Sequence, residues 1–488
     1  MNEYERNPRN YTLLSDAYEF FMSDAYLVNG KGNIEGVFDV FFRKIPNGGG
    51  YAIMAGVDKL IDYISNLKFG PKEIEYFKRC GYSKELIKYL ENFKFTGDIY
   101  AIPDGTPVFP NEPLITVKAP IVEAQIVETA ILSIINGSME HATGARRIIE
   151  AVPKGVKVME FGARRADGLE AAIDSSLYGI MAGCDGTSNI LAADMIGMKA
   201  LGTMAHSFVE TFDNELDSFI AFVKAYPNNA TLLVDTYDTL RSGVPNAIKT
   251  FDYMKANGMS LNNIGIRIDS GDLAYLSKEA RKMLDEAGYP NAKICLSNGL
   301  DAKTIESLVM QGAKFDSLGV GDNISKPEGR MGAVYKEVAV IENGEVKPRI
   351  KVSEDIIKIV NPGFKKLYRA FDKNTGYALA DIMCDRNEKL NERKLTIVSL
   401  TDFIKSTDIE DYELVPLQKQ VFDKGELVYE DPSLLEKKQY VNEQMARLYP
   451  EVKRLLNPHG YYVDGTVEYA NFKNQMIKKY RKKWLYGK

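Results

Sequence analysis

Cysteine is scarce in this chain: Cys80, Cys184, Cys295 and Cys384 are the four in 488 residues, and no two are close in sequence. That scatter leaves no pair with the spacing of a zinc knuckle or a redox dithiol. Cys295 and Cys384 sit among apolar neighbours, which points to buried free thiols and a reducing compartment. A large charge of either sign is missing too. The formal net charge of -5 and pI near 5.6 give no general attraction for nucleic acid or an anionic membrane. No apolar run approaches the ~20 residues that cross a bilayer, and residues 1–10 are polar, without a signal-peptide core. A cytoplasmic protein with no nucleic-acid or membrane partner is expected. Histidine is down to three residues, so each one invites a reason.

What is present fits a folded, multidomain protein. Hydrophobic residues make up 45% and charged residues 26%, and the length implies two or three cores. The expected division is an N-terminal α+β domain over 1–135, an α/β barrel over 136–365, and a mixed, partly helical C-terminal region over 366–488 packing on the N-terminal domain. In the first part, residues 13–26 read as a helix, 37–43 as a strand, 56–64 as a second helix and 124–149 as a long one. Four prolines between 97 and 117 suit short strands and turns.

The middle carries the pattern that matters. Short apolar runs at 156–161, 180–184, 199–202, 231–234, 264–268, 293–296 and 317–320 alternate with helical stretches. Each run ends in a small or polar cluster. Such runs imply a parallel sheet, and about seven in succession favour closure into a TIM-like barrel over an open doubly wound sheet. Either fold places its site at the carboxyl ends of the strands. After Arg330, residues 334–340, 346–352 and 366–371 look antiparallel, and 432–488 look mostly helical. The basic stretch at 478–483 reads as a solvated helix face rather than a nucleic-acid patch.

Several strand ends carry chemistry. Asp269-Ser270-Gly271-Asp272 follows an apolar run containing Arg267. Two acids around a Ser-Gly turn suit vicinal hydroxyls or a magnesium ion carried by a diphosphate, although Asp and Ser also cap helices. Ser297-Asn298-Gly299 and Gly319-Val320-Gly321-Asp322 end the last two runs, where barrels often cradle phosphate on backbone N–H groups. His206 follows the run ending at Gly202, and Asp235, at the next strand end, is placed to accept its Nδ1 proton. His141 and His459 have no such setting. Phe161, beside Arg164 and Arg165, offers a ring to stack a heterocycle and a guanidinium to hold diphosphate, although on its own a core phenylalanine with surface arginines is the commoner reading.

These segments resemble the nicotinate phosphoribosyltransferase family. The resemblance rests on Leu13-Leu-Ser-Asp-Ala-Tyr18-Glu, Phe41-Phe-Arg-Lys-Ile-Pro46 and Glu160-Phe-Gly-Ala-Arg-Arg165. It continues through Asp185-Gly-Thr-Ser-Asn189, Gly202-Thr-Met-Ala-His206, Val234-Asp-Thr-Tyr-Asp238 and Arg267-Ile-Asp-Ser-Gly-Asp272. It runs from about Tyr11 to Cys384. It implies a type II phosphoribosyltransferase fold and a reaction joining nicotinate to phosphoribosyl diphosphate, with coupled ATP hydrolysis, in NAD biosynthesis or salvage. ATP would be a co-substrate, and magnesium would arrive with the diphosphate and ATP rather than as a resident metal. His206 would be the phosphoryl acceptor, with Asp235 and Asp269 as the other catalytic residues. Phe161, Ser188, Thr203 and Arg267 would bind nicotinate, and Tyr18 would do so across a homodimer interface with shared sites. Arg164, Ser270, Gly271, Asp272, Ser297, Asn298, Gly299, Gly321 and Asp322 would form the phosphoribosyl diphosphate site. Asp322 departs from the pattern, because relatives carry a threonine there. Either it turns away from the phosphate or it meets it through magnesium.

Three rivals remain in view. A nicotinamide-using enzyme would carry an aspartate where Ser188 stands. A quinolinate-using enzyme would be much shorter and lack the His206 segment. A non-catalytic nucleotide-binding regulator would have no use for His206 beside Asp235.

Overall fold

The computed structural model describes residues 10–353 and 358–486. They fall into two compact units, one of Met1–Glu140, Gly329–Ser433 and Gln439–Lys488, the other of His141–Glu328 and Leu434–Lys438. Among the described residues no helix is long and apolar enough to cross a membrane. The protein is mixed α/β.

The first unit holds two larger sheets. One is antiparallel throughout, in the order Glu345–Pro348, Val334–Glu342, Glu35–Phe41, Ile115–Pro120, Asp98–Ala101, Lys419–Asp423, Glu426–Leu427. Its central strand Glu35–Phe41 is the aromatic and β-branched run read from the sequence, and six of its seven residues are buried. Residues 334–348, taken from sequence with the barrel segment, join this sheet: Val334–Glu342 pairs with Glu35–Phe41, and Glu345–Pro348 pairs with Val334–Glu342. The second sheet runs Ser406–Glu410, Lys394–Ser399, Tyr462–Thr466, Ala378–Asp385, Lys365–Asp372, Tyr412–Pro416. The C-terminal stretch is helical over Leu434–Ala446 and Val467–Tyr486, but the strand Tyr462–Thr466 separates the two.

The second unit is built on one parallel sheet. Its order is Gly186–Thr187, Lys157–Glu160, Ser317–Val320, Lys293–Ser297, Ile264–Ile268, Ala230–Leu233. Ile266, Ile268, Leu296, Leu318 and Val320 are fully buried between the helices that separate the strands. Two expected strands are corrected. Residues 180–184 are the buried last turn of the helix Leu169–Ala182, which Gly183 ends at φ 134°. The strand lies just beyond, at Gly186–Thr187. An apolar run of five suits a buried helix turn as well as a strand, so periodicity cannot separate them. Residues 199–202 form no ladder; Leu201 N–H donates to Thr187 O at 2.8 Å, and Asn229 Nδ2 donates to Gly202 O at 3.0 Å. Late in the chain Leu434–Lys438 returns to this unit, Leu434 against its core and Lys438 Nζ donating to Cys184 O at 2.6 Å.

Candidate active site

Because the six strands are parallel, their carboxyl ends gather along one edge of the sheet, and the loops leaving them face one region. Arg267, in the strand Ile264–Ile268, donates from Nη1 to Thr203 Oγ1 at 2.6 Å. Its Nη2 lies 3.9 Å from Asp269 Oδ2, and its Nε is buried with no hydrogen-bond partner. A guanidinium desolvated this far, with donor capacity left unspent, is primed for an anion or acceptor.

His206 opens the short helix His206–Glu210. The expected Nδ1 bond to Asp235 is not formed: Nδ1 meets Thr236 Oγ1 at 3.1 Å. Nε2 instead faces two carboxylates, Asp235 Oδ1 and Asp269 Oδ2, each at 3.9 Å. The reason is geometric. Asp235 is turned inward, its side chain 1% exposed, with Oδ2 accepting from Asp269 N–H at 3.1 Å and Ser270 Oγ at 2.6 Å. Its Oδ1 stays buried without a hydrogen bond. Asp269 Oδ1 in turn accepts from Ser297 Oγ. Three strand ends thus join the His206 loop in one polar network around the imidazole.

Phe161 leaves the strand Lys157–Glu160 and its ring lies over Gly319. A Cβ at 319 would fall 2.7 Å from Phe161 Cδ2, so only glycine admits the ring there. Ser188 N–H donates to Glu160 O at 3.0 Å. Arg164 is exposed in the one-turn helix Ala163–Arg165. Asp272 caps the helix Leu273–Glu286 by accepting from Tyr275 N–H at 3.0 Å, so the capping alternative describes its local bond. Asn298 and Gly299 both take positive φ, 84° and 63°, a left-handed turn directly after the strand Lys293–Ser297. Asn323 Nδ2 reaches across to Leu300 O at 2.8 Å and pins the Gly321 turn to that loop. Asp322 pairs with Arg165 Nε at 3.2 Å.

Sequence reading missed two residues. Thr236 stands one place beyond Asp235 in the segment already singled out. Glu160 is fully buried, with Oε1 accepting from Gly162 N–H and Oε2 from Thr187 Oγ1 at 2.6 Å. It ties the Phe161 loop to the Ser188 loop. The only sequence signal was an acid at the end of an apolar strand.

Tyr18 belongs to the first unit, on the helix Ala17–Val28, and is 45% exposed. Its hydroxyl bonds to Glu128, and burial together with that carboxylate pushes its pKa up. The neighbouring Glu19 anchors this helix: its carboxylate accepts from Ser15 and from Thr129, and burial raises it to about 7.

Comparison with known proteins gives one consistent picture. Residues 13–136 match the nicotinate phosphoribosyltransferase N-terminal domain and residues 364–473 the C-terminal domain. The chain is 37% identical to the nicotinate phosphoribosyltransferase of Bacillus subtilis, over 98% of this chain and 97% of that one. It is 32% identical to that of Dictyostelium discoideum, over 93% and 86%. Among solved structures, human nicotinic acid phosphoribosyltransferase superposes with a TM-score of 0.83 at 24% identity, covering 95% of this chain and 99% of that one.

Proposed function

The chain belongs to the nicotinate phosphoribosyltransferase family, and on that premise we propose that it joins nicotinate to 5-phosphoribosyl 1-diphosphate, releasing diphosphate, with ATP hydrolysis coupled to turnover. The observation that carries the reading is the site around Arg267. A partly spent guanidinium beside Thr203 suits the nicotinate carboxylate, and the Phe161 ring over Gly319 suits its planar ring. Ser188 presents no charge to repel that carboxylate.

Departure of diphosphate leaves an oxocarbenium-like carbon at ribose C1, so catalysis rests on positioning and charge stabilisation. The pyridine nitrogen is already a nucleophile and needs no base. The Asn298–Gly299 turn and Gly321 offer backbone N–H groups to phosphate, joined by Ser297 and Arg164. Ser270, Gly271 and Asp272 flank the ribose, and diphosphate and ATP arrive as magnesium complexes. The ion pair with Arg165 favours the reading in which Asp322 faces away from the phosphate.

His206 is the phosphoryl acceptor. In the tautomer that donates Nδ1–H to Thr236, Nε2 carries the lone pair that acts as nucleophile. Asp235 and Asp269 stabilise the positive charge that develops on the ring. Phosphorylation acts by linkage, favouring the substrate-binding state rather than entering the glycosidic step.

We read the parallel sheet as a TIM-like barrel, with residues 199–202 bridging its edges through the Leu201 and Asn229 hydrogen bonds. A homodimer with shared sites is supported by exposed apolar side chains. Leu14, Tyr18 and Phe21 are exposed in the first unit, and Leu169, Ile190 and Met195 in the second. Tyr18 would stack on nicotinate opposite Phe161 in the neighbouring subunit. The free thiols Cys184, Cys295 and Cys384, all buried, support a cytoplasmic location.

The test is competition between nicotinate and nicotinamide, read as diphosphate release with and without ATP. Strong preference for nicotinate and a phosphohistidine at His206 by mass spectrometry are expected. Equal or better use of nicotinamide would overturn the assignment.

A further inference from the structure

Away from this site, the first unit has a partly open pocket of about 320 Å³ lined by Asn361, Thr401, Lys405, Tyr461, Asp464 and Lys473 among others. That size is at the low end of small-molecule sites, roughly 300–1,000 Å³. None of these residues belongs to the site described above.

Asp464 lies in the strand Tyr462–Thr466, in register with Ile382 on one side and Ser399 on the other. It is 8% exposed, and its carboxylate has no hydrogen-bond or ion-pair partner. Burial alone pushes the carboxyl up to about 6, so at neutral pH it is still mostly an anion. Lys473 stands on the helix Val467–Tyr486 and is 1% exposed. Its Nζ donates to Asn361 Oδ1 at 2.7 Å and to Leu400 O at 2.8 Å, both neutral acceptors. Burial, with Lys365 nearby, draws it down to about 7. Lys405 adds a mostly exposed ammonium, 3.4 Å from Asp402.

A buried anion and a buried cation lining one cavity would ordinarily pair, because neither is cheaply desolvated alone. Here they remain apart, and the Asp464 carboxylate keeps all its accepting capacity. A lone cation entering the cavity would meet Lys473 and Lys405, and a lone anion would meet Asp464. A molecule carrying both charges satisfies the two ends together. We propose that this cavity binds a small zwitterion of the free amino acid type, its ammonium toward Asp464 and its carboxylate toward the lysines.

Isothermal titration calorimetry of the full chain tests this with glycine, β-alanine, L-glutamine and L-glutamate, using acetate and ethanolamine as single-charge controls. At least one zwitterion should bind saturably, with the controls weaker by about tenfold or more, as expected when one charged hydrogen bond is lost. Asp464→Asn should weaken binding by a similar factor, and Lys405→Ala, at an exposed position, by less. Without ligand, Asp464→Asn should melt no lower than the parent. The gap between them should widen as pH rises from about 4 to about 6, because the stability of a carboxyl with a raised pKa is lost over that interval only in the parent. Failure of every zwitterion to bind, or binding unchanged in both variants, overturns the proposal. So does an Asp464→Asn chain that melts well below the parent, since the carboxylate would then be structural.

Discussion

Arg369 and Arg267 are both arginines in a strand with an aspartate at hand, yet the molecule uses them in opposite ways. In the first unit, Arg369 donates from Nε to Asp381 Oδ1 at 2.7 Å and from Nη2 to Oδ2 at 2.6 Å. A further bond reaches Pro107 O at 2.8 Å, and the Phe109 and Tyr461 rings flank the guanidinium. Both charged groups are 1% exposed or less. Three donors of the guanidinium are bonded inside the protein and both groups are buried, so the pair is closed to solvent. In the second unit, Arg267 approaches Asp269 only to 3.9 Å, and its Nε goes unbonded. The same two side-chain types make a closed structural pair in one place and an open binding pair in the other. The difference lies in unspent hydrogen bonds and in exposure, 14% and 29% for the open pair against 1% and 0% for the closed one, not in charge.

Breaking the closed pair should cost most. Arg369→Met leaves Asp381 buried beside Glu112, whose own carboxyl is already held well above its usual range by burial and by Asp381. A destabilisation of about 3–5 kcal/mol is expected, seen as a large fall in thermal midpoint and soluble yield. A midpoint close to the parent's would mean that the pair does not hold this unit together.

Breaking the open pair should instead spare the fold and damage selectivity. Arg267→Leu should keep the parent's thermal midpoint while the preference for nicotinate falls by about 1.5–3 kcal/mol, or one to two powers of ten, mainly through KM. A large drop in midpoint with selectivity intact would erase the contrast between the two arginines.

The smallest effect sharpens the contrast within the open site. Thr236→Val removes the only hydrogen bond to His206 Nδ1 shown in the structure. A loss of about 1 kcal/mol, roughly fivefold in ATP-coupled turnover and phosphohistidine yield, is expected, with base preference unchanged. A shift in base preference would mean that Thr236 acts on the nicotinate pocket instead.

The strands Ile264–Ile268, Lys293–Ser297 and Ser317–Val320 were legible because helices cover both faces of a parallel sheet and leave continuous apolar runs. The strands between Lys394 and Leu427 gave no such signal. Ser406–Glu410 buries only Ile409 fully, and a strand that exposes most of its residues reads as loop. At the site, the residue types at the strand ends were readable, but the bonds among them were not. His206 Nδ1 meets Thr236, while the inward-turned Asp235 accepts from Asp269 and Ser270 through Oδ2 and faces Nε2 with Oδ1 at 3.9 Å. That arrangement depends on three separate loops. Asp464 and Lys473 escaped notice for a similar reason: each looks like an ordinary polar residue until distant segments bury it.

The return of Leu434–Lys438 to the second unit has a consequence for how the chain comes into being. The sheet strands of that unit are complete by Val320, but its core still lacks Leu434, and Cys184 O lacks the Lys438 ammonium. On a ribosome, well over a hundred further residues must emerge before those places fill. The first unit waits longer still, since Lys473 and Tyr469 close it from the last helix. Neither unit is a contiguous stretch that a nascent chain can finish early, so folding is expected to be largely post-translational. A shortened message ending before residue 434 would leave both units unfinished and exposed to proteolysis.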